Sequence, residues 1–294
     1  MQAAELKPCL VDGATVLRND PGARTGIVFI DGSIPGVSPY CGGAHVWGKA
    51  LAPFAGEGGV AVIDSLSALG SGDGAACKTL DGAKDRFLSI LRALGLRRCH
   101  VVAHDVAGLA ALLMACEAAD LIAGVTVVSG GVACPTRDEE ENLALAHPYA
   151  PRTHRSAQKW ALERISYSHQ HIDAKLLDAC EAAARSAAWL DAPIQGEARS
   201  RWQGSVGRAK ARLYQAARTT GVPVPVQLVW GTHDPLSSVE HGLTLFRILA
   251  EKQRAAHFHL LNRAGALPFR EEAEGFHQAV AAFVDGTGRD DGPV

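Results

Sequence analysis

The feature that most constrains this chain of 294 residues is a set of short apolar runs separated by longer stretches with helical spacing. Each run is rich in Val, Ile, Leu or Ala, as buried strands are. Continuous apolar strands that alternate with amphipathic helices indicate a parallel sheet covered on both faces. The predicted strands are Gly26–Ile30, Gly59–Ile63, Cys99–Ala103, Gly124–Val128, Val224–Trp230 and Ala256–Leu261.

Helical patterns fill the connections between these runs. Leu80–Leu94 has apolar residues at helical spacing, and a helix of small residues, Val106–Ala119, follows the third strand at once. The stretches Val239–Ala250 and Glu271–Phe283 have the same spacing. Ligands of such sheets bind at the carboxyl ends of the strands, so the loops that follow the strands are predicted to hold the functional site.

One long segment, residues 135–218, interrupts this alternation. It has an acidic stretch, Asp138–Glu141, followed by helical patterns such as Trp160–Tyr167 and Ala174–Trp189. We therefore predict an α/β core formed by residues 1–134 and 219–294, and a helical cap formed by residues 135–218.

Charge and cysteine content exclude several classes of function. Lys plus Arg number 29 and Asp plus Glu number 31, so the chain has no general attraction for nucleic acid or anionic lipid. Seven cysteines without a C-x-x-C pair favour free thiols over disulfides or a zinc site. With no leader pattern or apolar stretch of membrane-spanning length, we expect a cytoplasmic protein without membrane contact and without metal or cofactor.

The most informative stretch is Val101–Gly108, in which a predicted strand runs directly into a helix. Small residues lie at Ala103, Ala107 and Gly108 around Asp105, which is the spacing of a nucleophile elbow. The helix N-terminus directs backbone N–H groups at the apex and favours negative charge there. Asp105 is therefore the first catalytic candidate, with a simple helix N-cap as the alternative.

At this elbow the sequence resembles the α/β-hydrolase superfamily, and the resemblance covers nearly the whole chain. An apex Asp preceded by His104 is similar to the G-H-D-x-G elbow of epoxide hydrolases and dehalogenases. In those enzymes the carboxylate attacks carbon and forms an ester intermediate. The resemblance implies a mostly parallel, doubly covered sheet with a helical cap insertion.

The rest of the chain resembles another branch, the meta-cleavage product hydrolases of aromatic catabolism. The similar segments are Asp31–Gly36 to their H-G-S-G-P-G loop, Val229–Pro235 to W-G-x-x-D, and Asn262–Glu271 to C-G-H-x-x-x-x-E. The resemblance implies that Asp234 is the triad acid. It also implies an oxyanion hole made by the backbone N–H groups of Ser33 and Val106.

Three positions depart from that branch. Asp31 replaces a His of the oxyanion loop, Asp105 replaces the nucleophilic Ser, and Ala266 replaces the triad His. Alanine can neither accept a proton nor activate water. An introduced His→Ala substitution would explain only one departure, so the three together favour natural divergence. Asp105 would then lie near Asp31 and Asp234 and act as a general acid or base without covalent chemistry.

We therefore expect an enzyme that acts on a carboxylated ring-cleavage product or a similar oxo or dienoic acid. The reaction would be C–C or ester cleavage, isomerisation or lyase chemistry. Three alternatives stay open: an Asp-nucleophile epoxide hydrolase or dehalogenase, a cofactor-free oxygenase or lyase, and a ligand-binding protein without catalysis. The expected partner is the small-molecule substrate, and a homodimer is also left open.

Several further side chains are candidates for the pocket wall. The candidates are Asp31, His104, Ile34, Trp189 and Leu267. His233 is weighed as a substitute imidazole, although its side chain is expected to point away from that of Asp234. Basic residues between Arg199 and Arg212 would either reach a substrate carboxylate or form a solvated helix face. Trp160, Trp189 and Trp202 would line an aromatic pocket or simply pack the cap.

Overall fold

The computed structural model describes residues 5–70, 78–135, 150–190 and 196–287. In these residues eight strands form one sheet with the order β1-β2-β4-β3-β5-β6-β7-β8. The strands are β1 Lys7–Val11, β2 Ala14–Arg18, β3 Thr25–Ile30, β4 Val60–Ile63, β5 Arg98–His104, β6 Ile122–Val128, β7 Val226–Gly231 and β8 Ala256–Leu261. Strands β3 to β8 run parallel to one another, which confirms the predicted sheet.

The two N-terminal strands form a hairpin that the sequence analysis missed. β1 and β2 pair antiparallel around Asp12 and Gly13, which both have positive φ angles of 49° and 73°. An Asp-Gly pair in this conformation is typical of a two-residue hairpin turn. β2 then pairs antiparallel with β4, so the hairpin extends the sheet at one edge.

The helices lie where the spacing predicts them, with boundary differences of a few residues. They are α1 Leu51–Glu57, α2 Ser65–Gly70, α3 Leu80–Ala93, α4 Val106–Glu117, α5 Arg155–Ile165, α6 Ala174–Ala184, α7 Ala187–Leu190, α8 Glu197–Thr219, α9 Val239–Ala250, α10 Pro268–Glu271 and α11 Ala273–Thr287. Short 3-10 turns span Ala44–Ala50, Gly131–Ala133 and His169–His171. Within this part of the chain, no helix is both long and apolar enough to cross a membrane.

Alternate side chains of β5 point into two separate apolar clusters, so the sheet is covered on both faces. Val101 and Ala103 pack in the cluster that holds α3 and α4, whereas Val102 packs in the cluster of Trp47 and Phe276. Burying a Val, Leu or Phe side chain contributes about 1.5–3 kcal/mol relative to exposure. Both clusters therefore hold the carboxyl ends of the central strands in place.

Between β6 and β7, the described residues form helices and no strand. The last of these helices, α8, packs against α3, α4 and α9, and its Trp202 is buried in the core cluster. The apolar side of α8 therefore belongs to the core, and we place the end of the cap before Glu197 rather than at residue 218. The acidic stretch Asp138–Glu141 lies outside the described residues.

Candidate active site

The turn between β5 and α4 has the geometry of a nucleophile elbow. Its apex, Asp105, has φ 48° and ψ −119°, a conformation that costs energy for a residue with a side chain. The flanking glycines allow the close approach: a Cβ on Gly32 would lie 2.1 Å from the His104 carbonyl oxygen, and one on Gly108 would lie 2.6 Å from Val127. The Asp105 side chain makes no capping hydrogen bond, so the structure does not support the N-cap alternative.

The surroundings of Asp105 favour a carboxyl group that exchanges protons near neutral pH. The residue is partly exposed, unlike its neighbours along the chain. Burial raises the pKa of its carboxyl to about 6; the charge of His104 opposes this shift and that of Asp31 adds to it. Both protonation states are therefore available at moderate pH, as a general acid or base requires.

Asp31, directly after β3, accepts a hydrogen bond from a backbone N–H group that was expected to form part of the oxyanion hole. Its Oδ2 accepts hydrogen bonds from the Ser33 N–H at 3.0 Å and the Ser65 hydroxyl at 3.2 Å. An aspartate readily accepts the N–H two residues further along the chain. The Ser33 N–H is therefore not free for an oxyanion in this structure, which corrects one half of the expected oxyanion hole.

His104 lies beneath the elbow and is 2% exposed. Its Nε2 is 2.9 Å from the carbonyl oxygen of Ala266, and its Nδ1 is 3.6 Å from Oδ1 of Asp31. Burial lowers the pKa of His104, but the bonds and charges of Asp31, Asp105 and the Ala266 carbonyl outweigh it, so the pKa is raised overall. His104 and Asp31 thus form a buried pair beside the apex.

Asp234 follows β7, where the resemblance puts the triad acid. Its Oδ1 accepts the N–H groups of Leu236 at 2.9 Å and Ser237 at 3.2 Å, while Oδ2 has no hydrogen-bond partner among the described residues. Burial raises the pKa of this carboxyl to about 7. The position that would supply an imidazole to it, Ala266, is a buried methyl group.

His233 does not replace the missing imidazole. Its side chain is exposed, and its Nδ1 lies 2.9 Å from the Thr232 hydroxyl. Its ring packs on Tyr167 with ring centroids 4.4 Å apart. Adjacent side chains of an extended segment point to opposite sides, so the His233 side chain points away from that of Asp234.

The remaining candidates for the pocket wall are buried but belong to different clusters. Ile34 packs in the core cluster with α3 and α4, Leu267 packs with Trp47, and Trp189 packs with Cys41. Trp202 is a core residue, so it does not line a pocket under the cap.

The arginines of the basic stretch are exposed on a helix that packs on the core, which fits the alternative of a solvated helix face. Arg199–Arg212 is part of α8, on the core side of the molecule, and Arg212 forms an ion pair with Asp81. This helix packs on α3, α4 and α9, so the stretch is a helix face of the core rather than a lining of the cap.

Three residues near the site were missed by the sequence analysis. Tyr40 is buried, and burial together with the charges of Asp31 and Asp105 raises its pKa well above the usual range. His45 lies 3.5 Å from the Cys180 thiol of α6. Ser129 follows β6 with φ 45°, and its buried hydroxyl acts to lower the pKa of Asp234. None of these residues lies in a motif, so only their positions after strand ends could have indicated them.

Arg152 is a further cation that the motifs did not indicate. Its guanidinium is half-buried and donates to the Ser38 carbonyl oxygen at 2.9 Å, on the loop that follows Ser33. No carboxylate of the described residues lies within ion-pair distance of it. Burial lowers the pKa of Arg152, so a nearby anion would stabilise its charge.

Metal ligands and disulfides add nothing to this site. No group of three or more His, Cys, Asp or Glu in the described ranges is arranged to hold a metal ion. The cysteines in those ranges are free, and Cys77 lies outside them.

Comparison with known proteins agrees with this architecture. Residues 27–279 match the sequence profile of the alpha/beta hydrolase family. The comparison with curated proteins finds no match.

Several solved structures share the fold. The 2-hydroxy-6-oxo-6-phenylhexa-2,4-dienoate hydrolase of Rhodococcus sp. strain RHA1 has a TM-score of 0.72 and 16% identity, over 95% of this chain and 99% of that one. The meta-cleavage product hydrolase of Pseudomonas fluorescens IP01 has a TM-score of 0.70 and 20% identity, over 96% and 98%. A carboxylesterase of Bacillus subtilis has a TM-score of 0.69 and 15% identity, over 96% and 92%.

At such identities the structural likeness shows the fold alone, whereas the sequence profile covers most of the chain. The elbow at Asp105 and the sheet order support the same assignment. The chain belongs to the alpha/beta hydrolase family.

Proposed function

We propose that this protein moves a proton on a carboxylated oxo or dienoic acid, with Asp105 as the proton carrier and without a covalent intermediate. One observation carries the proposal: a partly exposed carboxyl lies at the elbow apex, and the position of the family histidine is Ala266. A carboxyl whose pKa is about 6 can accept and return a proton at moderate pH.

The missing family imidazole at Ala266 argues against an ester intermediate. Release of an ester from Asp105 would need a base that activates water. His233 is turned outward, and both ring nitrogens of His104 are directed at Asp31 and Ala266. The engaged Ser33 N–H also removes one expected donor to a tetrahedral oxyanion.

Proton transfer requires only the groups that are present. The Asp105 carboxylate takes the proton of the enol hydroxyl of the substrate, and the electron pair of that O–H bond forms a dienolate. The protonated Asp105 then returns the proton to a carbon of the conjugated chain, which yields the keto isomer. No water, oxidant or second substrate enters the balance.

Two observations support an anionic, conjugated substrate. Arg152 offers a half-buried guanidinium that contacts Ser38, on the loop that follows Ser33, and it has no carboxylate partner among the described residues. A structurally similar protein is named for hydrolysis of 2-hydroxy-6-oxo-6-phenylhexa-2,4-dienoate. We therefore choose this dienoate as the first substrate to test.

The test follows the dienoate by proton NMR in D₂O with the wild-type protein, Asp105→Asn, and the surface control Asp120→Asn. We expect conversion to a keto isomer with deuterium at carbon and no release of benzoate. Loss of general acid–base catalysis lowers rates by about 10²–10⁴-fold, so Asp105→Asn should lose this much and Asp120→Asn nothing.

The same samples distinguish the second candidate, an Asp-nucleophile epoxide hydrolase or dehalogenase. The sequence pair His104-Asp105 favours it, because that pair is similar to their elbow. Incubation with an epoxide or a haloalkane, followed by intact-mass spectrometry, would show an ester on Asp105 if this candidate is correct. An adduct there, or benzoate release unaffected by Asp105→Asn, would refute the proposed proton transfer.

A further inference from the structure

The histidine that precedes the apex has acceptors at both of its ring nitrogens. His104 Nε2 is 2.9 Å from the Ala266 carbonyl oxygen, and Nδ1 is 3.6 Å from Oδ1 of Asp31. A carbonyl oxygen and an ionised carboxylate can only accept hydrogen bonds. A neutral imidazole has one N–H and would leave its other nitrogen facing an oxygen atom. The imidazolium directs an N–H at each oxygen, with a hydrogen bond at Nε2 and an ion pair, longer than a hydrogen bond, at Nδ1.

Asp31 faces His104 with one carboxyl oxygen and two hydrogen-bond donors with the other. Its Oδ2 accepts the Ser33 N–H at 3.0 Å and the Ser65 hydroxyl at 3.2 Å. Hydrogen bonds donated to a carboxylate stabilise the charged form. His104 and Asp31 are both almost fully buried, and a buried charge is stable only with such partners.

We propose that His104 is a positioning residue that remains an imidazolium in the folded protein and holds Asp105 in its proton-accepting form. His104 directly precedes the apex in the chain, and its charge acts on the Asp105 carboxyl. The inference rests on the proposed role of Asp105 as proton carrier, but its test does not need a substrate.

The charges around Asp105 give His104 this influence. Of the ionisable side chains that act on the pKa of Asp105, His104 lowers it and Asp31 raises it. Tyr40 and Asp234 face the same carboxyl, and the charge of Asp105 raises the pKa of each of them. Without His104, only a backbone hydrogen bond from Val106 would oppose the effect of burial and of the Asp31 charge on the pKa of Asp105.

The same strand contains a matched control. His100 is also buried, four residues earlier on β5, and its Nε2 lies 2.9 Å from the Thr126 hydroxyl. Its Nδ1 has no partner among the described residues, and burial lowers its pKa to about 3. His100 is therefore a neutral histidine with similar burial but no carboxylate beside it.

The experiment uses the full-length protein labelled with ¹⁵N at histidine and ¹³C at the aspartate carboxyls. His104→Gln and His100→Gln assign the two histidine signals, and Asp105→Asn assigns the apex carboxyl. From pH 5 to 9 we expect imidazolium shifts for His104 and a neutral imidazole for His100. An opposite charge at this range typically shifts a carboxyl by about 1–3 units. In His104→Gln the Asp105 midpoint should therefore rise by about 1 unit or more, while His100→Gln leaves it near 6.

A neutral His104 in the wild-type protein would overturn the inference, and this measurement does not depend on whether a variant folds. An Asp105 midpoint that stays constant or falls in His104→Gln would also overturn it. If the titrations behave as expected but Asp105→Asn still isomerises the dienoate, the proposed function fails and the charge relationship stands.

Discussion

The Nε2 atom of His104 lies 2.9 Å from the carbonyl oxygen of Ala266, so the residue before the elbow apex is bonded to the backbone of the missing histidine's position. The N–H of Ala266 in turn donates to the carbonyl oxygen of Ile165 at 2.8 Å. The loop after β8 is therefore fixed from both sides, by the core through His104 and by the cap through α5. This loop keeps a defined conformation, although the methyl group of Ala266 can neither donate nor accept a proton.

Restoring a histidine at this position is not expected to restore ester hydrolysis. In Ala266→His the imidazole would have Asp234 to pair with, but the apex is still a carboxylate and the Ser33 N–H is still bound to Asp31. We expect hydrolysis of p-nitrophenyl acetate to remain at the wild-type level. Circular dichroism checks that the variant is folded. Appearance of turnover in the folded single variant would show that only the imidazole was missing.

The buried carboxyl of Asp234 should make stability depend on pH. Burial raises its folded pKa to about 7, whereas in the unfolded chain it titrates near its ordinary value of 3.8. Between these values the folded state binds a proton that the unfolded state lacks, so this contribution to stability is lost as pH rises through 7.

Asp234→Asn cannot ionise, and it keeps an acceptor for the N–H groups of Leu236 and Ser237. Its melting temperature relative to wild type should therefore increase from pH 5 to pH 8.5. The increase should be about 2–4 °C for each kcal/mol removed. The exposed control Asp120→Asn should show no such trend, and an equal trend in both variants would contradict the assignment.

Glu271 is expected to hold the cap against the loop after β8. Its carboxylate accepts the Ser168 N–H at 2.7 Å and the Gly265 N–H at 2.8 Å. Removing a charged acceptor from two donors costs about 2–4 kcal/mol. Glu271→Ala should lower the free energy of unfolding by this amount and speed hydrogen exchange at both amides. The exposed neighbour Glu272→Ala should do neither.

Arg152 is expected to bind the carboxylate of the substrate. A hydrogen-bonded charge contributes about 1.5–3 kcal/mol, so Arg152→Gln should weaken binding of the phenyl dienoate about tenfold or more. The uncharged methyl ester of this dienoate should bind the wild type and the variant with equal affinity. The control Arg155→Gln removes a guanidinium that pairs with Asp178 at the surface, and it should leave both affinities unchanged. Equal losses for acid and ester would contradict this role.

Local patterns predicted the parallel part of the sheet because its central strands, β4 to β7, are buried on both faces. The hairpin of β1 and β2 was missed because its residues alternate in burial and its apolar content is low, although Asp12-Gly13 is a hairpin signal. The limit of the cap was wrong because α8 has an amphipathic pattern that fits either neighbour. Only tertiary contacts show that α8 faces α3 and α4.

The site was predictable where backbone geometry depends on small residues, as at the elbow around Asp105. The parts of the site that depend on contacts between distant segments of the chain were not predictable. The bond between Asp31 and the Ser33 N–H removes a donor that the motif implies, and the position of His104 against Ala266 joins segments 162 residues apart. Tyr40 and Ser129 lie beside the site through chain folding alone.

Because α8 packs on the core, the residues between β6 and α8 form a part of the chain that can be exchanged, while α8 stays with the core. The described residues between β6 and α8 contact the core at several places, among them Glu271, Ala266 and the buried cluster around Trp47, while α8 itself completes a layer under α3 and α4. Recombination with joints near Cys134 and Gly196 would therefore exchange the lid together with its side of that cluster and leave the α8 layer in place. Selection on new substrates can act on that module while the β-sheet, and the carboxyl at its centre, is inherited unchanged.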